Sequence, residues 1–339
     1  MARQFTDQDA GEARKGKQLP LMIGLLSPSS GGKTYTALRL ATGIQQVVGG
    51  DIFVIDTEQD RALHYADDFK FRHVPFGEPY GSLDYLDALR YCKAKGAGVV
   101  VVDQVSYEYD GPGGLLEQHE AALDRMAGND FKRRERVTFA AWIKPKANRK
   151  KLLNAIVAEL DMPIIFCWRA KQTTKPVAGG QPLDMGYSSV GAEEWKFDMT
   201  CNIMFAPNAA GVPMLNSVKP GEAACIKIPK QFSWLYDHRG SIDEDCGKRM
   251  ALWANGGGAN PAISKARQTP QEYAEELLAA VSQAPDAATL DNIERKAQKA
   301  LAKMSEDDSL KSLHDDAIKA FADKRQEFVG SSDPFAVQD

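Results

Sequence analysis

The chain has 339 residues, more than a usual single domain, so we expect one large domain with a small appendage. Hydrophobic residues make up 43% and charged residues 26%, as in an ordinary soluble globular protein. No apolar run approaches the roughly 18 residues needed to cross a bilayer, and the polar start lacks the apolar stretch of a secretory signal. The composition therefore predicts a cytoplasmic protein without membrane contact.

The cysteines and histidines do not have the spacing of metal ligands. The five cysteines are scattered without a CxxC pair, and the five histidines form no HExxH motif. We therefore expect reduced, buried thiols rather than disulfides, and we expect no structural metal.

The net charge of −4 conceals a strongly basic segment. From Phe131 to Lys151, nine basic residues stand against one acid, Glu135, so the segment carries +8 and the remainder −12. Cations neutralise phosphates, and the interleaved Phe139 and Trp142 could stack on unpaired bases. The alternative is a solvated helix face whose two aromatic residues belong to the core. The candidate nucleic-acid contacts are Arg133, Arg134, Lys150 and Lys151 here, with Lys171 and Lys175 further along the chain.

Residues 1–18 are predicted to form a flexible polar arm, after which predicted strands and helices alternate. The strands are apolar at nearly every position, which is typical of a parallel sheet covered on both faces. This succession predicts an α/β fold with a doubly wound, mostly parallel sheet over residues 19–255. The predicted strands are Leu21–Leu26, Asp51–Asp56, Val99–Asp103 and Met162–Trp168, and helical spacing occurs at Leu38/Leu40/Ile44, Leu83/Leu86/Leu89 and Leu152/Ile156/Leu160.

Beyond these elements the composition changes twice. The Thr-, Gly- and Pro-rich stretch Lys171–Glu193 predicts a mobile loop, and strands are expected at Asp198–Phe205 and Ala223–Ile228. Residues 256–268 are predicted to be a linker. The predicted C-terminal helical appendage covers 269–329, with helices near 270–283, 287–304 and 308–328, followed by a disordered tail at 330–339.

The segment Ser27-Pro-Ser-Ser-Gly-Gly-Lys-Thr34 lies between the first predicted strand and helix. It fits the phosphate-binding P-loop pattern GxxxxGK[ST] at every position except the first, where Ser27 replaces glycine and must keep a negative φ. In such a loop Lys33 would reach the β- and γ-phosphates and the Thr34 hydroxyl would hold Mg²⁺. A Ser/Gly turn before a helix is the simpler alternative. The candidate ATP contacts are Ser29, Ser30, Gly31, Gly32, Lys33, Thr34 and Tyr35.

Two later strands end in acids. Val99–Asp103 has four apolar residues before its carboxylate, the pattern of a Walker B strand, which makes Asp103 a candidate magnesium residue together with Thr34. Val54–Glu58 ends in Ile-Asp-Thr-Glu, and a carboxylate at a strand end can align and deprotonate a water molecule. The alternative for Glu58 is an ordinary polar strand terminus.

With these three motifs in order, the chain resembles the RecA-like P-loop ATPases over residues 18–235, at the level of motifs. Among them it looks most like phage-encoded members that act as single-strand annealing recombinases. The resemblance implies a RecA-like core that uses ATP and Mg²⁺, with Glu58 activating water. It also implies a γ-phosphate sensor at Arg169, where the family often has glutamine, and it makes Lys227 and Lys230 candidate cations that reach a neighbour's ATP.

The function implied by this resemblance is DNA-stimulated ATP hydrolysis by a protein that binds single-stranded DNA and promotes annealing. The implied partners are single-stranded DNA, further copies of the chain in a ring or filament, and a single-strand-binding protein, in a bacterial host's cytoplasm if the chain is phage-encoded. Three alternatives stay open: a helicase-like or packaging motor, a nucleotide-switched DNA-binding scaffold with little turnover, and a small-molecule kinase. The kinase ranks last because no compact Arg-rich lid follows a matching strand.

Overall fold

The computed structural model describes residues 6–14, 17–256, 270–284, 286–305 and 310–330. The chain divides into two compact units, residues 1–261 and 262–339. Most of the predicted linker, residues 257–268, and residues 331–339 of the predicted tail lie outside the described residues, as do residues 1–5 and 15–16 of the predicted arm.

A mostly parallel sheet forms the centre of the first unit. The strands are β1 Met22–Ser27, β2 Asp51–Asp56, β3 Arg72–Pro75, β4 Ala97–Asp103, β5 Ile164–Lys175, β6 Leu183–Ser189, β7 Cys201–Phe205 and β8 Pro213–Met214. Their hydrogen-bonded order is β3-β2-β4-β5-β1-β7-β8, and β6 pairs with β5. The pairs that involve β6 and β8 are antiparallel, and the others are parallel.

Helices cover both faces of this sheet, so the mixed α/β class is as expected, and the layout is compatible with a doubly wound fold. Side chains alternate between the faces of a strand. Ile23 and Leu25 pack into one core with the helices over residues 33–48 and 244–254, whereas Met22 and Leu26 pack into a second core with the helices over residues 82–94 and 143–158. The helices are α1 Ala10–Arg14, α2 Lys33–Val48, α3 Ser82–Ala94, α4 Tyr107–Asp110, α5 Leu115–Ala127, α6 Phe131–Ala141, α7 Ile143–Ala158, α8 Pro220–Cys225 and α9 Glu244–Ala254.

The register brings three polar strand ends and one residue within β5 to the same edge of the sheet. Ser27 of β1 is level with Arg169 of β5, and Asp56 of β2 is level with Asp103 of β4. Because parallel strands end at the same edge, the loops that follow them meet there, which is where open α/β sheets bind ligands.

Helix α2 packs closely against α9 through two glycines. A Cβ on Gly43 would come within 1.8 Å of the Glu244 carbonyl oxygen, and one on Gly247 within 2.2 Å of the Leu40 carbonyl oxygen. The Arg39 guanidinium also pairs with the Glu244 carboxylate at 2.6 Å. The helix that follows the Ser27–Thr34 loop is therefore fixed by backbone-to-backbone contact.

Two predicted elements differ from the structure. The predicted mobile loop Lys171–Glu193 is largely a hairpin, because β5 extends to Lys175 and pairs with β6 around a turn that contains Gly179. The predicted strand Ala223–Ile228 is wrong: Pro220 at the helix start and Glu222 in the first turn favour helix α8 instead. Of that segment only Lys227 forms a bridge with a strand residue, Asn202.

The predicted N-terminal arm contains a short helix. Residues Ala10–Arg14 form helix α1, and Arg14 donates a 2.6 Å hydrogen bond to the Trp253 carbonyl oxygen while lying 4.9 Å from the centre of its ring. These contacts attach α1 to α9, and the flexibility of the arm stays a prediction.

The second unit contains three helices close to the predicted positions: α10 Pro270–Ser282, α11 Ala287–Ser305 and α12 Lys311–Gly330. Leu277, Leu290, Leu301 and Phe321 are buried in its core. In the part of the chain that the structure describes, no helix combines the length and apolarity of a membrane span.

Candidate functional site

The Ser27–Thr34 loop turns its backbone in the manner of an anion-binding concavity. Ser30 and Gly32 adopt left-handed conformations, with φ of 63° and 88°, on either side of Gly31. Alternation of this kind turns successive N–H groups inward. Gly32 is also the N-cap of the 16-residue helix α2, and no side chain caps that helix, so its first N–H groups are open to a ligand.

Ser27 occupies the position at which the phosphate-loop pattern has its first glycine. It ends β1, is fully buried, and is absent from the residues with positive φ, which satisfies the condition set by the sequence. Its hydroxyl donates to the Pro28 carbonyl oxygen at 2.7 Å. A Cβ on Gly31 would lie about 2.5 Å from the Ser27 side chain. The serine therefore fills space under the loop that only a glycine at position 31 leaves free.

Lys33 folds back onto this loop. Its Nζ donates to the Ser27 carbonyl oxygen and hydroxyl, both at 3.1 Å, and to the Pro28 carbonyl oxygen at 3.2 Å. Burial lowers the pKa of Lys33, and the nearby Cys167, Asp103 and Glu58 oppose that shift. The ammonium group thus shares one electrostatic environment with the two predicted strand-end acids.

Thr34 and Asp103 are in direct contact. The threonine hydroxyl donates a 2.6 Å hydrogen bond to Asp103 Oδ2. Burial raises the pKa of Asp103 from 3.8 to about 6, although the Thr34 hydrogen bond opposes this shift. A hydroxyl and a buried carboxylate side by side are the hard oxygen donors that Mg²⁺ prefers, so the two residues fit a magnesium ion.

Glu58 follows β2 on a turn that Asp56 holds in place. Asp56 accepts hydrogen bonds from the backbone N–H groups of Glu58 and Ala62, at 2.8 and 2.9 Å, and lies 3.1 Å from His73 Nε2. Asp56 is therefore occupied within the fold. The Glu58 carboxylate instead accepts from Gln104 Nε2 at 2.7 Å, at the end of β4.

Arg169 lies within β5, level with Ser27 of β1, because the strand continues to Lys175 instead of ending at Arg169 as the resemblance implied. Its guanidinium already has partners. It pairs with Asp110 at 2.8 Å and lies 4.7 Å from the centre of the Tyr107 ring, both on α4. Its Nε is buried without a hydrogen-bond partner among the described residues. The structure brings Arg169 to the correct edge of the sheet without directing it at the loop.

The remaining predicted ATP contacts lie on the solvent side of the loop. Ser29 and Ser30 are exposed. Tyr35 is half-exposed, and its ring packs edge-on against Tyr65 and Phe69 at centroid distances of 5.8 and 5.2 Å. An aromatic side chain next to the predicted phosphate contacts is thus held by two aromatic neighbours.

Helices α6 and α7 carry the basic segment, and its cations fall into two groups. Arg134 pairs with Glu120 and Asp124 on α5, Arg149 is buried against Glu108, and Lys146 lies 3.7 Å from Glu194. The other cations have no ion pair within the described residues. These are Lys132, Arg133, Arg136, Lys144, Lys150 and Lys151, all exposed.

The aromatic residues of this segment also divide. Trp142 stacks on His119, with the ring centroids 3.9 Å apart. Phe139 is 88% exposed and Phe131 is 72% exposed, so the core alternative is excluded for Phe139. Helix α6 thus presents two phenylalanines to solvent among unpaired cations.

The four other candidate lysines differ in whether their ammonium groups are exposed or already hydrogen-bonded within the chain. Lys171 and Lys175 are exposed on the β5–β6 hairpin. Lys227 Nζ donates to the carbonyl oxygens of Lys196, Phe197 and Met199, at 3.2, 3.1 and 2.6 Å, and so caps a turn of its own chain. Lys230 is exposed without a side-chain partner in the described ranges, which makes it the freer of the two trans-acting candidates.

The expectation of reduced, buried thiols is confirmed. All five cysteines are free and buried. Cys167 lies level with Asp103 on the neighbouring strand, and burial raises the pKa of its thiol well above the usual range.

Sequence reasoning missed Gln104 and the buried pair Arg149–Glu108. Arg149 Nε and Nη2 donate to the two Glu108 oxygens at 3.2 and 2.5 Å, and the Ser82 hydroxyl donates to Glu108 as well. Arg149 was counted with the surface cations because its partner lies 41 residues away along the chain. The signal that the sequence offered was the position of Gln104 directly after Asp103, the predicted magnesium residue.

Comparison with models of known protein families gave no match, and no curated protein matched the sequence.

Proposed function

We propose that the chain binds ATP with Mg²⁺ in the Ser27–Thr34 loop and hydrolyses it. The observation that carries this proposal is the convergence of Lys33, Thr34, Asp103 and Glu58 at one edge of a mostly parallel sheet. A lysine and an uncapped helix N-terminus meet the charge of a triphosphate. A hydroxyl–carboxylate pair suits the metal, and a second carboxylate is available as a base.

In this proposal each side chain has one task. Lys33 leaves the Ser27 and Pro28 carbonyl oxygens and neutralises charge on the β- and γ-phosphates. Thr34 and Asp103 would hold Mg²⁺, which neutralises charge on the phosphate oxygens when bound. Glu58 accepts the proton of the attacking water. The resemblance to RecA-like ATPases agrees with this division of roles and remains part of the proposal.

The test is phosphate release by the full-length chain and two variants. Lys33→Ala should abolish turnover and weaken binding of a fluorescent ATP analogue. Glu58→Gln should keep binding within a few-fold while turnover falls by about 10²–10⁴-fold, the usual contribution of a general base. Normal hydrolysis by Glu58→Gln would assign water activation elsewhere, and normal hydrolysis by Lys33→Ala would contradict the site as a whole.

We further propose single-stranded DNA as the partner of the basic segment, with annealing or recombination as the outcome. The support is α6, where Phe131 and Phe139 stand in solvent beside the unpaired Lys132, Arg133 and Arg136. Cations along a backbone path with aromatic faces for bases are the usual means of binding single strands. Lys150 and Lys151 extend the charge along α7.

The DNA proposal is tested by salt titration of oligonucleotide binding. Arg133→Ala, Lys150→Ala and Lys151→Ala should each weaken binding and flatten its dependence on salt. Arg134→Ala is the matched control, because its charge is already neutralised by Glu120 and Asp124. Equal effects of Arg133→Ala and Arg134→Ala would contradict this assignment.

The alternatives make different predictions for the same protein. A motor displaces strands directionally, whereas an annealing protein pairs strands without direction. A scaffold binds nucleotide without releasing phosphate, with or without DNA. If the chain assembles into a ring or filament, the exposed Lys230 is the better candidate to reach a neighbouring nucleotide, and Lys230→Ala should then lower turnover without changing nucleotide binding.

A further inference from the structure

The backbone of Gln104 is fastened to the turn that carries Glu58. Thr57 Oγ1 accepts from the Gln104 N–H at 2.8 Å and donates to the Gln104 carbonyl oxygen at 2.9 Å. The Tyr85 hydroxyl donates to the same carbonyl at 3.0 Å, and the Thr57 N–H donates to the Asp103 carbonyl oxygen at 2.8 Å. The end of β4 and the residue before Glu58 therefore form one rigid piece.

The side chain of Gln104 then reaches the Glu58 carboxylate. Its Nε2 donates to Glu58 Oε1 at 2.7 Å, and the residue is only 2% exposed. The other carboxylate oxygen accepts from Arg61 at 3.1 Å, but the Arg61 side chain is 64% exposed. Gln104 is thus the buried member of the pair of donors that orient Glu58.

The oxygen atom of the Gln104 side-chain amide makes no interaction that stabilises the described fold. Gln104 Oε1 is buried and has no hydrogen-bond partner among the described residues. Reversing the amide would place that oxygen against the Glu58 carboxylate, acceptor against acceptor, so the orientation follows from chemistry. A buried acceptor without a donor lowers stability, and an apolar side chain would serve the fold better at this position.

We infer that Gln104 is a positioning residue that holds the Glu58 carboxylate ready to act on the attacking water. The inference rests on the proposed ATP hydrolysis. In that step the water oxygen bonds to the γ-phosphorus, the bond from phosphorus to the bridging oxygen of ADP breaks, and ADP leaves with the electron pair. The water proton passes to Glu58. A carboxylate fixed from the buried side needs no reorientation before it accepts that proton.

The experiment compares Gln104→Met, which keeps the length of the side chain without its donor, and Gln104→Glu, which faces Glu58 with an acceptor. Gln118→Met is the matched control, since Gln118 Nε2 donates a similar 2.8 Å hydrogen bond to the Gly113 carbonyl oxygen away from the site. The measurements are kcat and KM for Mg·ATP in phosphate release, and Tm. Misplacing a catalytic group costs up to about 100-fold in rate, so kcat of both Gln104 variants should fall about 10- to 100-fold.

A positioning role predicts a pattern that a structural role does not. KM should stay within about threefold, and Tm of Gln104→Met should be equal to or higher than that of the wild type, because the unpaired oxygen is removed. The double variant Glu58→Gln with Gln104→Met should be no slower than Glu58→Gln alone. Losses that multiply in the double variant would overturn the inference, as would a normal kcat for Gln104→Met.

Two outcomes keep this inference distinct from the proposed function. Absence of turnover by the wild type, or full turnover by Glu58→Gln, would overturn the ATPase proposal and this inference together. Turnover that depends on Glu58 but not on Gln104 would overturn the inference alone. Should Gln104→Met unfold below the assay temperature, Gln104→Glu decides by the same criteria.

Discussion

Replacing Asp103 by asparagine should stabilise the protein at neutral pH when no nucleotide is added. Burial raises the pKa of Asp103 from 3.8 to about 6, so ionising this carboxyl group is less favourable in the folded chain than in the unfolded chain. Each tenfold change in proton affinity is worth about 1.4 kcal/mol. The ionised carboxylate therefore lowers the free energy of unfolding by about 3 kcal/mol above pH 7. Asparagine removes the charge and keeps an acceptor for the Thr34 hydroxyl.

The sign of the pH dependence follows from the same shift. A group whose pKa is raised by folding contributes stability that is fully present below its unfolded pKa and is lost as pH rises through its folded pKa. The contribution of Asp103 is therefore lost between about pH 4 and pH 6. The advantage of Asp103→Asn should be close to zero near pH 4 and should reach about 3 kcal/mol above pH 7.

The assay is urea unfolding of the wild type and Asp103→Asn from pH 4 to pH 8. Asp51→Asn is a suitable control, because Asp51 forms an exposed pair with Arg72, and such pairs contribute at most about 1 kcal/mol. Equal stability of the wild type and Asp103→Asn at pH 8 would refute the reasoning. So would a difference that does not change between pH 4 and pH 6.

Three further predictions concern packing and chemistry away from the loop. Arg149→Met leaves the Glu108 carboxylate buried without its ion-pair partner and should lower the free energy of unfolding by about 3–5 kcal/mol. In the same denaturation series Arg133→Met, at an exposed position, should change it by less than about 0.5 kcal/mol. Gly43→Ala should lower the free energy of unfolding by about 1–3 kcal/mol or more, because the new Cβ would overlap the Glu244 carbonyl oxygen. Gly77→Ala is the control, since a Cβ at Gly77 would meet open space. Equal Tm values for the two variants would exclude the close contact between α2 and α9. The five buried cysteines should resist a thiol reagent in the native protein and all react in denaturant, and fast labelling without denaturant would contradict their burial.

The elements and motifs that depend on residues close together in the sequence were predicted best. Strands such as Val99–Asp103 are apolar up to their terminal acid, and that pattern alone indicates a buried parallel strand. Lys33 and Thr34 were found by local spacing, and their proximity to Asp103 followed from the rule that parallel strands end at one edge. The hairpin at Lys171–Ser189 was missed because its Thr- and Gly-rich composition is also typical of loops, and pairing with a distant partner decided between the two.

The same distinction explains what was missed at the site. Arg149 and Glu108 are 41 residues apart, and Gln104 and Glu58 are 46 apart, so no local pattern marks either pair. The charge count therefore assigned Arg149 to a surface cluster from which it is excluded. Ser27 is different, because its fit under the loop depends on Gly31, which is only four residues away in the sequence.

Helix α4 has only four residues, yet two arginines from different elements form ion pairs with it. Arg149 of α7 pairs with Glu108 in the interior, and Arg169 in the middle of β5 pairs with Asp110 and lies over the Tyr107 ring. A displacement of α7 must therefore either carry α4 with it or separate two charges in a medium that screens them poorly. Because Asp110 of the same helix pairs with Arg169 of β5, a movement of α7 that keeps its buried ion pair also acts on the strand that pairs with β1.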